Sequence, residues 1–290
     1  MGSVALASGL NSVSLASVLK KKRKLAFSTL ACPDWSWQEI VSNARKYGFQ
    51  GVEIRGIQSE LSIPDSIYFK GQAWKDSLKL ADDNGIQIIN LNSSSHLHET
   101  DPLKNKKQMD EVKRNMELAA KLNCPFVRVF PDRFPAELTK EQTIDLFAGR
   151  LNELREYGKG SGVKVLLDAH GDLSDSSDIK AVLDKTEKGG TGLIWDYFNM
   201  YSQIHEELDP MFENLKEYIS LVQLKDGTTD KEGAHVYTFL GGGFLPKMAI
   251  LEKLDEINYN GFISFEWEKT WHPELPDPEI ALPDFIRKMN

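Results

Sequence analysis

The sequence has 290 residues, of which 41% are hydrophobic and 27% are charged. These proportions are ordinary for a globular protein with a sizeable apolar core. The formal net charge of −8 gives no overall positive field that would attract nucleic acid or anionic lipid. We therefore expect neither a nucleic acid nor a membrane as a partner.

The N-terminal segment differs in composition from the rest of the chain. Residues 4–19 are small, apolar and serine-rich, and the stretch is too short and too polar to span a bilayer. A basic run, KKKRK, follows at residues 20–24 and is most simply a solvated arm. We expect residues 1–24 to be either the remnant of an export signal or a disordered extension. The first alternative implies a periplasmic location and the second a cytoplasmic one.

From residue 25 onward, short apolar runs alternate with longer amphipathic runs, and Gly, Pro, Asn or Asp marks each change. The clearest helical patterns cover residues 37–47, 110–122 and 144–157, and Ser36 is placed to cap the first of them. The predicted strands cover residues 25–30, 51–55, 86–92, 126–130, 163–168, 192–197, 221–226 and 262–266. Eight strands that alternate with helices, with too few residues for a second domain, predict a single-domain (β/α)₈ barrel over residues 25–290.

Polar side chains interrupt the last four predicted strands at their C-terminal ends, although a buried parallel strand is normally apolar throughout. In chain order they are Asp168 and His170, Asp196, Gln223 and Lys225, and Glu266 and Glu268. Residues two apart on a strand share a face, and in a barrel the C-terminal ends of all strands open on one mouth. We therefore expect three carboxylates and an amide oxygen to converge at that mouth.

A cluster of carboxylates needs a compensating positive charge, because like charges a few ångströms apart repel and burial adds to the cost. A divalent cation would supply it, and oxygen ligands favour Mn²⁺ or Mg²⁺, with Zn²⁺ or Ca²⁺ as further candidates. Basic side chains such as Lys225 and Arg128 could pair with the acids instead. Both arrangements remain open at this point.

Five segments resemble the xylose-isomerase-like family of barrels, which includes sugar-phosphate isomerases and epimerases, tagatose 3-epimerase-like enzymes and inosose dehydratases. The segments are GVEIRG, LLDAHGD, WDYFN, VQLKDG and the closing run LGGGFLPKMAILEKLDEINYNGFISFEWE. The closing run is the most distinctive, since it resembles the Gly-rich turn, helix and acidic strand end of that family. The resemblance covers the chain from Leu25 to the C-terminus.

In that family a Glu, an Asp, a His and a Glu on strands five to eight bind one divalent metal. The resemblance places these ligands at Asp168, Asp196, Gln223 and Glu266. Two positions match and two depart, because Asp168 is one methylene shorter than Glu and Gln223 offers an amide instead of an imidazole. The resemblance thus implies a metal site with an altered ligand set.

The resemblance also implies a divalent-metal-dependent isomerase or epimerase that acts on a sugar or keto-sugar through an enediolate. Such chemistry needs proton-transfer groups and a partner for the developing negative charge. We expect Glu266 to transfer the proton, Asp168 to assist it, and Lys225 or His170 to polarise the substrate oxygen. A sugar lyase or dehydratase would use the same intermediate, and a non-catalytic sugar-binding barrel would suit the altered positions. The expected partner is a small-molecule sugar, and a homo-oligomer is compatible with the sequence.

Other polar residues near strand ends have less specific interpretations. Glu53 and Arg55 share one face of the second strand, where they could reach the mouth or form an interior ion pair. His96 and His98 follow the third strand in SSSHLHET and have no third ligand near them in sequence. We expect these two histidines to be solvated.

Overall fold

The structure is a computed structural model and describes residues 22–231 and 234–290. Its strands are β1 (Lys24–Ser28), β2 (Gly51–Ile54), β3 (Gln87–His96), β4 (Phe126–Phe130), β5 (Lys164–Asp168), β6 (Thr191–Asp196), β7 (Ile219–Leu224), β8 (Asp226–Thr229), β9 (His235–Thr238) and β10 (Phe262–Phe265). Its α-helices are α1 (Trp37–Tyr47), α2 (Ala73–Asp83), α3 (Pro102–Lys121), α4 (Lys140–Tyr157), α5 (Ser176–Asp184), α6 (Tyr197–Ile204), α7 (Leu208–Leu215), α8 (Lys247–Glu256) and α9 (Pro278–Met289). All strands except β8 and β9 close into a parallel barrel, in which β10 pairs with β1. The predicted (β/α)₈ barrel is confirmed.

Local sequence signals account for the helix boundaries. Ser36 caps α1 through a capping box with Glu39, and Gly48 ends the helix with a left-handed φ of 94°. Helix α3 begins eight residues before the predicted start, because Asp101 caps it and Pro102 occupies its first position. The charged first half of α3 carries little apolar periodicity, so the sequence pattern did not reveal it.

The interior of the barrel is apolar at the N-terminal end of the strands and polar at the C-terminal end. Five buried residues form the apolar layer: Ala26, Ile89, Leu166, Ile194 and Leu221. Two positions later on the same strands, and therefore on the same face, come Asp168, Asp196 and Gln223. Because side chains alternate along each strand, the polar side chains lie at the mouth, above the closed apolar layer.

The segment after β7 departs from the sequence prediction. The predicted strand 221–226 ends at Leu224, and the chain then turns into the antiparallel hairpin of β8 and β9. The carboxylate of Asp226 causes this turn by accepting hydrogen bonds from the backbone N–H groups of Gly227, Gly241, Gly243 and Leu245. The hairpin and the Gly-rich loop are therefore held together at one edge of the mouth.

The predicted export signal or extension lies almost wholly outside the described residues, which begin at residue 22. At the end of the basic run, the guanidinium of Arg23 donates to Asp255 at 2.8 Å and to the carbonyl of Leu251 at 3.0 Å. The prediction that this run is a solvated arm is therefore wrong for Arg23. In the described parts of the chain, no helix has the length and apolar character needed to cross a membrane.

Candidate active site at the mouth of the barrel

The predicted site residues lie at the C-terminal ends of four consecutive barrel strands. Asp168 and Asp196 end β5 and β6, Lys225 follows β7, and Glu266 follows β10. Each of these side chains is buried. The strands therefore bring residues almost 100 positions apart into one buried polar layer, as expected from the sequence.

The ammonium group of Lys225 lies at the centre of this layer. Its Nζ is 2.5 Å from Glu266 Oε2, 2.8 Å from Glu268 Oε1 and 3.1 Å from Asp196 Oδ2. Burial alone would lower the pKa of Lys225, but the attraction of the carboxylates raises that pKa well above its usual value. Lys225 therefore stays charged and neutralises the acids around it.

Asp168 has a different cationic partner. Its Oδ2 is 3.2 Å from the guanidinium of Arg128, which also donates to the backbone carbonyl of Ser93 and lies 3.7 Å from the ring centre of Phe130. Burial raises the pKa of Asp168 to about 7, since Arg128 offsets only part of the desolvation cost. Asp168 can thus exchange a proton near neutral pH.

Gln223 lies deeper, at the floor of the polar layer. Its amide nitrogen donates to both oxygens of Glu53 at 3.1 Å and to Glu266 Oε1 at 3.2 Å. Glu53 also accepts from Asn90 at 3.2 Å, and burial raises its pKa. Glu53 therefore belongs to this buried network, whereas Arg55, which directly follows the same strand, lines the cavity above.

A cavity of about 310 Å³ opens above the polar layer. Its volume is at the lower end of the range for small-molecule sites. The charged and aromatic side chains that line it include Arg55, Arg128, His170, Lys225, Glu266 and Trp271. The cavity therefore offers hydrogen-bonding groups on most sides and an aromatic face on one.

Three histidines surround one carboxylate beside this cavity. Asp132, which follows β4, has His96 Nδ1 at 3.2 Å and His98 Nδ1 at 3.9 Å from its Oδ2, and His170 Nδ1 at 3.1 Å from its Oδ1. The prediction that His96 and His98 are solvated is wrong, because their imidazoles are partly buried against Asp132. A lone Asp after a strand gave no sequence signal, since only the pairing of β3 with β4 brings it to the histidines.

The predicted metal ligands can be tested against the contacts they make. Oδ1 of Asp168 and Oε1 of Gln223 are buried and make no hydrogen bond within the described residues, whereas Oδ2 of Asp196 has the Lys225 ammonium as its ionic partner. Such oxygens suit a hard divalent ion. An ion bound to Asp196 and Glu266 would compete with the ammonium of Lys225, so Lys225 must withdraw for the ion to bind. The oxygens of the predicted ligands therefore fit a divalent ion once the Lys225 ammonium has moved away.

Several solved structures share the fold of this chain. The crystal structure of the IolI protein with a bound zinc atom superposes with a TM-score of 0.76, at 20% identity, covering 92% of this chain and 96% of that one. The probable 3-DHS dehydratase AsbF from Bacillus anthracis gives 0.74 at 15% identity, with 91% and 97% covered. The 3-keto-D-glucoside 4-epimerase YcjR from E. coli gives 0.69 at 15% identity, with 92% and 99% covered.

The neighbours thus include an epimerase, a dehydratase and a zinc-containing protein, and identities this low establish the fold alone. No curated protein sequence matches the chain. Within the described residues, one potential ligand atom from each of His96, His98 and Asp132 lies within 4.8 Å of the others, a spacing that could hold a metal ion. The sequence model of the xylose isomerase-like TIM barrel family matches residues 41–289, and the chain belongs to that family.

Proposed function

We propose that this protein is an isomerase or epimerase that acts on a small sugar or keto-sugar through an enediolate intermediate. The observation that carries the proposal is the contact of Glu266 with Lys225 inside a cavity of about 310 Å³. A carboxylate can remove a proton from a carbon next to a carbonyl, and an ammonium group beside it can stabilise the negative charge that develops on the carbonyl oxygen. The relatives described as epimerases support the same class of reaction.

In the proposed reaction, a carboxylate oxygen of Glu266 takes the proton from the carbon adjacent to the substrate carbonyl. The electrons of the broken C–H bond form the C=C bond of the enediolate, and the carbonyl electrons move to its oxygen. Lys225 stabilises the negative charge on that oxygen. Return of a proton to the former carbonyl carbon, with the hydroxyl proton of the adjacent carbon moving to the former carbonyl oxygen, gives the isomer. Return of a proton to the original carbon from its opposite face gives the epimer.

Asp168 and His170 complete the proposed set. The pKa of Asp168, raised to about 7 by burial, suits a group that gives or takes a proton near neutral pH. His170 lines the cavity; with its Nδ1 facing the Asp132 carboxylate and its pKa lowered by burial, its Nε2 can accept a hydrogen bond from a substrate hydroxyl. A divalent ion, when bound, would be held by Asp168, Asp196, Gln223 and Glu266 and would polarise substrate oxygens.

The test is exchange of carbon-bound protons with solvent deuterium. A panel of aldoses and ketoses is incubated with the protein in D₂O, with and without Mn²⁺, and followed by NMR. We expect at least one sugar to incorporate deuterium next to its carbonyl carbon and to yield an isomer or epimer. Exchange accompanied by loss of water would replace the proposal with a dehydratase. Saturable sugar binding without exchange would replace it with a non-catalytic sugar-binding barrel.

A further inference from the structure

We propose that His96, His98 and Asp132 form a second metal site, separate from the carboxylate layer, that takes a borderline divalent ion such as Zn²⁺. Within the described residues, one potential ligand atom from each of these side chains lies within 4.8 Å of the others. The group sits at the rim of the mouth, with His96 at the end of β3 and His98 and Asp132 on the loops after β3 and β4. None of the three residues lines the cavity in which we place the sugar.

Backbone contacts hold His96 and Asp132 in place. His96 is the last residue of β3 and pairs with Phe130, and the N–H of Leu97 donates to the Phe130 carbonyl at 2.8 Å. Asp132 adopts a left-handed φ of 70°, which is uncommon for a residue other than glycine. Strained backbone of this kind persists where the surroundings over-determine it, often at functional positions. At this position the Asp132 carboxylate faces the histidines.

The distances suit a single small ion. His96 Nδ1 and His98 Nδ1 lie 3.2 Å and 3.9 Å from Asp132 Oδ2. Ligands of tetrahedral zinc, each 2.0–2.2 Å from the metal, lie roughly 3.3–3.6 Å from one another. Both Nδ1 atoms are buried and make no hydrogen bond within residues 22–231 and 234–290. Small side-chain adjustments would therefore place an ion between them.

His170 supports the Asp132 carboxylate from the other side. Its Nδ1 is 3.1 Å from Oδ1, the oxygen that His96 and His98 do not approach. Such outer partners hold a ligating group in the orientation that the metal needs. Because His170 also lines the cavity, an ion on Asp132 would fix one wall of the proposed sugar site. His170 is a positioning residue in this proposal.

The donor set selects the metal. Two imidazole nitrogens and one carboxylate oxygen favour Zn²⁺ or Co²⁺ over Mg²⁺ and Ca²⁺, which prefer oxygen ligands. Three protein ligands leave a fourth position for water. The carboxylate layer offers only oxygen donors, so the two sites differ in chemistry and can be separated by metal type.

The experiment uses the full chain after removal of metals with a chelator. Zinc affinity is measured by competition with a chromophoric chelator, and Co²⁺ is added separately to record its visible spectrum. We expect one equivalent of Zn²⁺ and a Co²⁺ spectrum of tetrahedral type. We expect His96→Ala and His98→Ala to weaken zinc binding by about 100-fold or more, and His170→Ala by about tenfold.

Two matched variants test where the zinc binds. The exposed His205 lies outside the cluster, and His205→Asn keeps a residue that tolerates its left-handed φ of 54°. We expect His205→Asn, and Asp196→Asn in the carboxylate layer, to bind zinc as the unaltered protein does. If His98→Ala fails to fold by circular dichroism, His98→Gln replaces it. Zinc binding that survives loss of His96 and His98, that is lost in Asp196→Asn, or that is undetectable at micromolar zinc would overturn the proposal.

Discussion

The ammonium Nζ of Lys225 lies 2.5 Å from Oε2 of Glu266, and the amide nitrogen of Gln223 lies 3.2 Å from the other oxygen of the same carboxylate. Both carboxylate oxygens are thus engaged by donors from β7 and the residue that follows it. This arrangement orients Glu266 toward the cavity and fixes its charge beside a cation.

Replacing Glu266 with glutamine should remove the proposed proton-transfer group while keeping the size of the side chain. We expect solvent-exchange turnover to fall by about 10²–10⁴-fold, the usual contribution of a general base. The matched control is Glu141→Gln on the exposed start of α4. Undiminished turnover in Glu266→Gln, with native circular dichroism, would remove Glu266 from the mechanism.

Lys225→Met should destabilise the fold, because Asp196, Glu266 and Glu268 would lose their shared cation inside the barrel. Loss of one partner from a buried ion pair costs about 3–5 kcal/mol of unfolding free energy. Lys79→Met, which breaks an exposed pair with Asp83, should cost about 1 kcal/mol or less. Urea unfolding followed by fluorescence measures the loss of unfolding free energy in each variant. Equal losses in Lys225→Met and Lys79→Met would contradict the central position of Lys225.

The same lysine should limit binding of a divalent ion in the carboxylate layer. We expect Lys225→Gln to bind Mn²⁺ about tenfold more tightly or better, because it removes a positive charge that competes for Asp196 and Glu266. Lys79→Gln should leave the affinity unchanged. Calorimetric titration of Mn²⁺ gives the dissociation constants, and weaker binding in Lys225→Gln would show that the lysine assists the ion.

Gly171→Ala tests the close approach of the loops after β4 and β5. A Cβ at Gly171 would lie 2.0 Å from the Asp132 carbonyl oxygen, and the residue has a left-handed φ of 64°. Gly71 has nearly the same φ, 62°, with nothing within 4 Å of its Cβ position. Gly71→Ala should therefore cost about 1 kcal/mol of unfolding free energy and Gly171→Ala clearly more. Equal costs in thermal unfolding would show that the loops separate freely.

The two cysteines should resist thiol reagents in the folded protein. Cys32 and Cys124 are buried, and burial raises the pKa of Cys124 to about 12. Because the thiolate is the reactive form, we expect alkylation at pH 8 to be very slow until urea unfolds the chain. Mass spectrometry after timed exposure to iodoacetamide measures the extent of alkylation at each cysteine. Rapid alkylation of Cys124 without urea would show that β4 opens easily.

Sequence patterns alone predict the barrel and the mouth at which the candidate site lies. Apolar runs alternate with amphipathic ones from β1 to α9, and the acidic strand ends Asp168, Asp196 and Glu266 stand out against the apolar residues before them. These signals are local, because they depend on side-chain periodicity within a single strand or helix. For the same reason the capping of α1 by Ser36 was predictable.

The pairing of the charges, in contrast, depends on how distant segments come together in the fold. Lys225 contacts acids from β6 and from the segment after β10, and Asp132 meets histidines from the end of β3 and from the loop after β5. Such pairings depend on strand order, register and loop direction, which no short stretch of sequence encodes. The same holds for Asp226, whose hydrogen bonds to a loop 15 to 19 residues away turn the chain after β7 into a hairpin.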